Sequence, residues 1–325
     1  MREFSYHRPA ALAEVWPLLE GARGSVSLLA GGTDLVPALK RGLTAPAALI
    51  DVKRLPELEG ITDTLEGGLR VGAATTLHAL ARSPQVAGRY PALAQAADTV
   101  ASYQIRNRGT LGGNLCLDTR CTYFNQSPFW RAEYPDCRKT GGRSCYVVPK
   151  GDRCHALSSS DLAPLLVALG AEVEVASAVG VRRQPVEDLF ANDGLQATTL
   201  GPGELVTAAV LPPAAELRAV HRRYAARETV DFPMLSLAAA AGDGWVRLVV
   251  GHVASRPLRA PRAEHELAAF LAGEGGEAAA VGTTAAAELA LTSSVRGSVA
   301  YKKRVLRVLA AQAAEELAAN DERRV

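Results

Sequence analysis

The sequence predicts a mixed α+β protein in which two regions of different pattern follow one another. In the first region, short apolar runs enter glycine-rich turns and are followed by helix starts. In the last third of the chain the pattern changes to long strands and then to alanine-rich amphipathic helices. These later elements are predicted over Ser236–Ala241, Trp245–Val253, Glu264–Leu291 and Ser298–Ala319. We therefore predict a domain boundary near residue 215, close to Pro212-Pro213.

The composition is that of an ordinary globular chain. Of 325 residues, 48% are apolar and 22% are charged, and the net charge of +2 gives no reason to expect a nucleic-acid or membrane partner. The N-terminal segment is charged and interrupted by proline, and no window approaches the roughly 18 apolar residues of a spanning helix. We therefore expect a cytoplasmic protein, in which persistent disulfides are rare.

The first glycine-rich turn lies between a predicted strand and a predicted helix. The apolar run Val26–Ala30 leads into Gly31-Gly32, and Thr33 or Asp34 can cap the helix that follows. Backbone N–H groups in a turn of this kind can bind a phosphate. The same pattern also fits an ordinary connection between a strand and a helix that binds no ligand.

A second glycine pair strengthens the phosphate interpretation. Gly112-Gly113 are predicted to form another turn after a segment of helical spacing, and their neighbours Thr110 and Asn114 can hydrogen-bond a phosphate or a ribityl chain. The other strands predicted in this region are Phe4–Pro9, a strand ending near Asp51, Leu69–Gly72, Ala171–Ala176, Val181–Phe190 and Gly203–Pro212. The other predicted helices are Ala10–Leu19, one beginning near Thr75 or Thr76, Tyr90–Asn107 and one that is capped by the Ser/Asp start of Ser158–Asp161 and runs through Leu169.

All five cysteines lie in one irregular segment rich in Gly, Pro, Arg and Ser, and the rest of the chain has none. Structural cysteines usually scatter through core elements, and disulfide frameworks suit secreted proteins, so the clustering indicates a metal site. The spacing C-x4-C-x15-C-x7-C-x8-C lacks the C-x2-C pairs of common zinc ribbons and bacterial ferredoxins. Four thiolates fit either tetrahedral zinc or a [4Fe–4S] cluster, and the residues alone leave both open.

Cys116 is the cysteine that we expect to be left over, because it directly follows the second glycine pair. The other four lie in the irregular segment itself. Aromatic residues of the same segment could exclude water from a cluster, or form the small core of the loop, or do both. These residues are Tyr123, Phe124, Phe129, Trp130 and Tyr134.

Four motifs in this order resemble the flavin-binding subunits of the molybdenum hydroxylases, the family of xanthine dehydrogenase and carbon monoxide dehydrogenase. The motifs are AGGTDLVPALKRG, VGAATT, GTLGGN and SSDLAP. In most of that family GTLGGN runs almost directly into SDLAP, whereas here the cysteine-bearing segment intervenes. The insertion, and the later segment RETVDFPML, are similar to the 4-hydroxybenzoyl-CoA reductase branch, whose beta subunits carry a [4Fe–4S] cluster in an extra loop. The resemblance therefore favours an iron–sulfur cluster over zinc.

The resemblance implies an α+β fold with a two-lobed PCMH-type FAD-binding domain, like that of vanillyl-alcohol oxidase, over residues 1–215. Its lobes would cover about 1–55 and 56–215, with the iron–sulfur loop inserted at about 117–157. Residues 216–325 would form a C-terminal module of the CO dehydrogenase flavoprotein type.

The resemblance also implies the residues that bind cofactors. Residues 30–35 would surround the FAD pyrophosphate, the second glycine pair would contact a phosphate and the ribityl chain, and Asp161 would bind ribityl or adenosine hydroxyls. Tyr224 would cover the isoalloxazine ring, and Arg223 would stabilise an anionic reduced flavin. The complete implied FAD set is Leu29, Ala30, Gly31, Gly32, Thr33, Asp34, Leu35, Thr75, Thr110, Gly112, Gly113, Asn114, Asp161, Leu205, Arg223 and Tyr224. The implied cluster ligands are Cys121, Cys137, Cys145 and Cys154.

The function that the resemblance implies is electron transfer within 4-hydroxybenzoyl-CoA reductase, a dimer of heterotrimers. Electrons from ferredoxin would pass through [4Fe–4S] and FAD to a small [2Fe–2S] subunit and a large molybdopterin subunit, where benzoyl-CoA is formed. No catalytic acid/base pair or nucleophile is expected in this chain. Two other interpretations remain: a flavin subunit of another molybdenum hydroxylase that uses NAD or quinone, and a zinc-stapled binding module without enzymatic activity.

Overall fold

A computed structural model describes residues 1–21, 24–228 and 230–322 of the chain. The first lobe is a parallel three-stranded sheet of order β1-β3-β2 with two helices. Its elements are β1 (Ser5–His7), α1 (Val15–Gly21), β2 (Val26–Leu29), α2 (Leu35–Lys40) and β3 (Ala48–Asp51). The strands and the helix start predicted around the first glycine-rich turn are confirmed.

The second lobe is a five-stranded sheet of order β4-β5-β10-β6-β7, in which each neighbouring pair is antiparallel. Helices from the segments that precede and follow the insertion in the sequence cover this sheet. The helices are α3 (Leu77–Arg82), α4 (Pro84–Arg89), α5 (Pro91–Asp98), α6 (Tyr103–Arg106), α7 (Leu111–Leu115) and α9 (Ala163–Ala168). The strands are β4 (Ile61–Asp63), β5 (Leu69–Gly72), β6 (Glu172–Ser177), β7 (Gly180–Pro185) and β10 (Leu205–Leu211), with a separate hairpin of β8 (Phe190–Asp193) and β9 (Gln196–Thr198).

Three predictions in this lobe were wrong in detail. The strand predicted over Val181–Phe190 ends at Pro185, because proline lacks the N–H that would continue the ladder, and a 3-10 turn (Val186–Leu189) follows. The helix predicted over Tyr90–Asn107 is divided into α5 and α6, because Ala101 has a left-handed φ of 47° that an α-helix does not accommodate. The second glycine pair, predicted as a turn, lies inside the single helical turn α7, where the Thr110 hydroxyl accepts from the Gly113 N–H. The low helix propensity of glycine favours a turn here, but the capping bond from Thr110 and the surrounding packing stabilise a helical turn instead.

The C-terminal region is a four-stranded antiparallel sheet covered by three helices. Its elements are β11 (Arg218–Tyr224), β12 (Leu235–Gly242), β13 (Trp245–Gly251), β14 (Leu258–Arg259), α10 (Pro261–Leu271), α11 (Ala278–Glu288) and α12 (Val299–Glu322). The helix predicted over Glu264–Leu291 is therefore two helices, since Gly273 and Gly275 adopt positive φ between them. Strand β11 was missed because its alternation of apolar and polar residues is obscured by arginines.

The C-terminal sheet packs directly against the second lobe, which positions the site described below. Helix α9 lies against β12 and β13, and α5 lies against β11. The close approach is possible because β12 presents two small side chains to this lobe, Ala238 and Ala240, which are completely buried. The boundary predicted near residue 215 falls between β10 and β11, and the division into domains stays a prediction.

The insertion, residues 117–157, contains little regular structure. It holds the short helix α8 (Pro128–Arg131) and one 3-10 turn (Arg138–Thr140), and its two ends are joined by a bridge between Arg120 and Leu157. In the described part of the chain, none of the helices combines the length and the apolar character that crossing a bilayer requires.

Candidate functional site

A cavity of about 730 Å³ opens where the two lobes, the insertion and the start of the C-terminal region meet. Cofactor pockets in proteins commonly have this size. Both predicted glycine-rich segments line it, together with Asp161 at the start of α9 and Leu205 at the start of β10. The fold therefore brings together segments that are more than 100 residues apart in the sequence.

The first glycine-rich turn has the shape of a cradle for an anionic group. A Cβ atom on Gly31 would collide with the backbone carbonyl of Arg108, and Gly32 has a φ of 72° that favours glycine. Within the described residues, the backbone N–H groups of Gly31, Gly32 and Thr33 have no protein acceptor. Free N–H groups beside a cavity can donate to phosphate oxygens.

The second glycine-rich segment differs, because the protein itself uses its backbone donors. The N–H of Gly112 donates to the Ala73 carbonyl at 2.8 Å, and that of Gly113 donates to the Thr110 hydroxyl at 3.1 Å. The Asn114 N–H donates to the Thr110 carbonyl at 2.9 Å. This segment can therefore contact a ligand through its surface but cannot supply these three amides to a phosphate.

Asp161 is a carboxyl group at the cavity wall whose ionisation is strongly perturbed by the protein. Its side chain is 13% exposed, and burial raises its pKa to about 6, although nearby Arg223 and a hydrogen bond from the Asn114 side chain act in the opposite direction. The Asn114 Oδ1 in turn accepts from the Ser160 hydroxyl at 2.8 Å and from the Leu162 N–H at 3.1 Å. Asn114 therefore fixes both the carboxyl group and the start of α9.

A buried polar group from the C-terminal region lies behind Asp161. The Nε2 atom of His252 is 3.9 Å from Asp161 Oδ1, and its Nδ1 atom is 3.0 Å from the Ser236 hydroxyl. Burial lowers the pKa of His252 to about 3, so the ring is neutral at pH 7. The completely buried Lys302 donates to the carbonyl of His252 at 3.4 Å and to that of Thr292 at 2.9 Å. The C-terminal region thus supports the wall that carries Asp161.

An arginine from the insertion adds positive charge to the cavity. The guanidinium of Arg120 forms an ion pair with Asp34 and lies 4.6 Å from the centroid of the Phe232 ring. Asp34, Arg120 and Phe232 all line the cavity. Because guanidinium groups bind phosphate oxygens well, Arg120 is a candidate phosphate contact.

Most of the FAD residues implied by the sequence face this cavity. Those in its lining are Ala30, Gly31, Gly32, Thr33, Asp34, Leu35, Thr110, Gly112, Gly113, Asn114, Asp161 and Leu205. The structure places four others outside the lining: Leu29, Thr75, Arg223 and Tyr224. The Thr75 hydroxyl donates to the Gly60 carbonyl at 3.2 Å, and the Tyr224 hydroxyl lies 2.7 Å from that of Tyr301. The individual binding roles stay predictions.

Several residues of the cavity lining were not predicted from the sequence. Arg120, Val230, Asp231 and Phe232 reach the cavity from the insertion and from the loop after β11. The motif RETVDFPML already marked that loop, but only the fold shows that its residues Val230 to Phe232 line the same cavity as the first glycine-rich turn. Cys116 also faces this cavity and is accessible from it, yet the surrounding protein atoms desolvate its thiolate and raise its pKa to about 12.

A second, smaller pocket is lined by the four other cysteines. Cys121, Cys137, Cys145 and Cys154 surround it together with Phe124 and other loop residues, and its volume is about 10 Å³. Burial raises the pKa of both Cys121 and Cys154, and the charges of neighbouring cysteines act in the same direction. The structure therefore places four cysteines around one pocket and Cys116 apart from them, and their roles as cluster ligands stay a prediction.

Neighbouring aromatic rings pack beside the cysteine pocket. Tyr123 lies 5.2 Å from Tyr146 and 6.1 Å from Tyr134, and Trp130 lies 4.6 Å from Tyr134, measured between ring centroids. Phe129 does not join them and is 83% exposed. Within the described ranges, no three His, Cys, Asp or Glu side chains are grouped in a way that would hold a metal ion.

Comparison with known proteins shows the family to which the chain belongs. Residues 2–214 match the family described as the FAD binding domain in molybdopterin dehydrogenase. The chain is 34% identical to the aldehyde oxidoreductase FAD-binding subunit PaoB of Escherichia coli (strain K12), over 82% of this chain and 86% of that protein. The chain therefore belongs to the family of FAD-binding subunits of the molybdenum hydroxylases, and the predicted FAD binding is confirmed at the level of that family.

Solved structures agree with this assignment. Quinoline 2-oxidoreductase from Pseudomonas putida 86 superimposes with a TM-score of 0.76 at 26% identity, covering 98% of each chain. Carbon monoxide dehydrogenase from Hydrogenophaga pseudoflava superimposes with a TM-score of 0.75 at 26% identity, covering 96% of each chain. The predicted fold class, including the CO dehydrogenase type of C-terminal module, is confirmed.

Proposed function

We propose that this chain is the FAD and [4Fe–4S] subunit of a molybdenum-containing 4-hydroxybenzoyl-CoA reductase. It would receive electrons from ferredoxin and pass them to a small [2Fe–2S] subunit and a large molybdenum subunit, in a dimer of heterotrimers. Reductive removal of the para-hydroxyl group would take place on the large subunit. The observation that carries the proposal is that the insertion gathers four cysteines around one pocket beside the FAD cavity.

The FAD cavity offers hydrogen-bond donors that have no acceptor among the described residues of the protein and are therefore available to the cofactor. The free N–H groups of Gly31, Gly32 and Thr33, with the guanidinium of Arg120, would bind the pyrophosphate. The carboxyl group of Asp161 would accept hydrogen bonds from ribityl or adenosine hydroxyls. Bound FAD supplies the ability to exchange electrons singly or in pairs.

The cysteine pocket offers the four thiolates that a cluster needs, although the pocket is at present too narrow to hold the cluster. A single metal ion needs all its ligands within one bond length of a common point, whereas each iron of a [4Fe–4S] cluster takes its own thiolate. Four cysteines around one pocket match the four thiolate ligands of such a cluster, and the resemblance to the 4-hydroxybenzoyl-CoA reductase branch favours the cluster over zinc. Because the pocket of about 10 Å³ is smaller than the cluster, loading would require the side chains to rotate outward.

The two cofactor sites would be neighbours. Phe124 lines both the FAD cavity and the cysteine pocket, so one side chain forms part of both walls. The aromatic rings around Tyr123 shield the other side of the cysteine pocket and would limit the access of water. This chain would thus supply proximity, orientation and a controlled dielectric, and the bond-breaking chemistry would belong to its partner.

The test is to purify the complete complex without oxygen and to measure iron, FAD and the electron paramagnetic resonance of the reduced form. Serine replacements of Cys121, Cys137, Cys145 and Cys154 should each abolish or damage the cluster, with a loss of up to about four irons per FAD. Cys116→Ser is the matched control and should retain the full iron content. If wild-type complex contains no iron beyond that of the small subunit, the proposal is wrong.

A second candidate function follows from the named relatives, which include aldehyde oxidoreductase and xanthine dehydrogenase subunits. In that case the chain would serve a molybdenum hydroxylase that passes electrons to NAD or quinone, and the insertion would bind zinc or no metal. Reduction of the bound FAD by NADH, in a complex that lacks cluster iron, would favour this alternative. Reduction by a low-potential ferredoxin through the cluster would favour the first.

A further inference from the structure

Lys139 is a buried cation in the insertion that belongs neither to the cluster ligands nor to the FAD contacts described above. Its side chain is only 6% exposed, and its ammonium group is 2.7 Å from Asp118 Oδ1 and 2.5 Å from the Thr119 hydroxyl. It also donates to the carbonyls of Thr119 at 3.2 Å and of Gly194 at 3.0 Å. Burying a lysine is costly unless the charge is well compensated, so its presence calls for an explanation.

The position of this ammonium group is between the two cofactor sites. Lys139 lines the cysteine pocket, whereas its partners Asp118 and Thr119 line the FAD cavity. The ammonium nitrogen lies 5.1 Å from the ring centroid of Phe124, the residue shared by both walls. The Gly194 N–H donates to the Cys154 carbonyl at 2.9 Å, so the same contacts hold one of the cysteines. Lys139 and Asp118 therefore form a dipole whose positive end faces the cysteines and whose negative end faces the flavin cavity.

We propose that Lys139 is a positioning residue that sets the reduction potential of the cluster, with Asp118 acting in the opposite sense. This inference rests on the proposed [4Fe–4S] site. Four thiolates and a cluster carry net negative charge, and each added electron increases it. A fixed positive charge beside the pocket stabilises the reduced form and raises the potential, because net charge is one of the main determinants of cluster potentials.

The surroundings decide which of the two charges has the larger effect on the cluster. The Lys139 side chain is nearly excluded from water, whereas the Asp118 side chain is 54% exposed and is therefore screened by solvent. The ammonium group also lines the cysteine pocket, and the carboxylate does not. The electrostatic potential that Lys139 and Asp118 together produce at the cluster is consequently positive. At the flavin cavity, Asp118 offsets a larger part of the potential from Lys139.

The experiment is a redox titration of the wild-type complex and three variants, with the cluster followed by electron paramagnetic resonance and the flavin by absorbance. Lys139→Met keeps the volume and removes the charge, so the cluster potential should shift downward. Lys139→Arg keeps the charge and should stay close to wild type. Asp118→Asn removes the opposing charge, so the potentials should shift upward, and that of the flavin more than that of the cluster.

The outcomes separate this inference from the proposal on which it rests. Absence of a cluster signal in the wild-type complex removes both. A cluster whose potential is the same in wild type and Lys139→Met overturns the role of Lys139 and leaves the iron–sulfur proposal standing. If Lys139→Met does not assemble, Asp118→Asn decides, because a merely structural contact would give no upward shift. An unchanged or lowered cluster potential in Asp118→Asn then refutes the inference.

Discussion

Asp161→Asn should make the flavin-free subunit more stable while weakening its hold on FAD. The carboxyl group has an ordinary pKa of 3.8, and burial raises that value to about 6 in the folded chain. The difference corresponds to ~3 kcal/mol of destabilisation once both states are ionised. This is a large fraction of the 5–15 kcal/mol by which typical domains are stable. Asparagine keeps the shape of the side chain and removes the charge that is costly to bury.

The sign of the pH dependence follows from which state binds the proton more tightly. Because the folded-state pKa is the higher one, the folded chain holds more protons than the unfolded chain between about pH 4 and pH 6. The contribution of Asp161 is therefore neutral below pH 4, becomes unfavourable as the pH rises through that window, and reaches its full cost above pH 6. Asp161→Asn should lose this slope.

The opposite effect is expected on FAD. A hydrogen bond to a charged acceptor contributes about 1.5–3 kcal/mol, so its loss should raise the Kd for FAD by roughly ten- to hundredfold at pH 7. The wild-type affinity should also fall as the pH drops below about 6, where the carboxyl group becomes protonated. The variant should show no such step in that range.

Urea unfolding of the flavin-free subunit between pH 4 and pH 8 measures the first effect, and titration with FAD measures the second. Asp243→Asn is the matched control, because Asp243 is an exposed carboxyl group in the turn between β12 and β13. It should change neither quantity appreciably. An Asp161→Asn subunit that is no more stable than wild type at pH 7, or that keeps the wild-type slope, would refute the reasoning.

Three further predictions concern the glycine-rich segments and the C-terminal region. Gly31→Ala should abolish FAD retention because its methyl group collides with backbone, whereas Gly88→Ala, where the space is open, should leave flavin content unchanged; equal flavin content in both variants would contradict this. Thr110→Ala removes the hydroxyl that accepts from Gly113 and should lower the free energy of unfolding by about 1 kcal/mol in urea, an effect that Thr110→Ser should not show. Burial lowers the pKa of Lys302 from 10.5 to about 8, so the stability of wild type relative to Lys302→Met should rise by ~3 kcal/mol between pH 8 and pH 10.5; unfolding curves that stay parallel would count against it.

The sequence was sufficient for elements whose signals are local. The strand–turn–helix at Gly31-Gly32 and the strands β12 and β13 follow from apolar periodicity and turn residues, and all were found where predicted. The second glycine pair was assigned to the wrong element because the bonds that hold α7 depend on Ala73 and Thr110, and Ala73 is distant in the sequence. Local propensity cannot include a partner that only the fold supplies.

Residues that act through three-dimensional contact could not be found in this way. Arg120 and Phe232 are 112 positions apart, and neither belongs to a glycine-rich segment, yet their side chains stack on each other and line the same cavity. His252 and Lys302 could not be predicted either, because a single buried histidine or lysine does not change the periodic pattern of apolar residues. Their roles depend on Asp161, which was predicted only through resemblance to the family.

The arrangement of the cysteines links what the sequence indicated to what only the fold could show. The position of Cys116 directly after the glycine pair was enough to predict that it stands apart from the other four, which line one pocket in the fold. It could not indicate that the cysteine pocket would share Phe124 with the FAD cavity, nor that Lys139 would be buried between them. An insertion that merely braced a loop would need neither a shared wall nor a buried cation aligned with a carboxylate. Under the proposed relay, the shared wall would bring the two cofactors close together, and the buried charge pair would act on their reduction potentials.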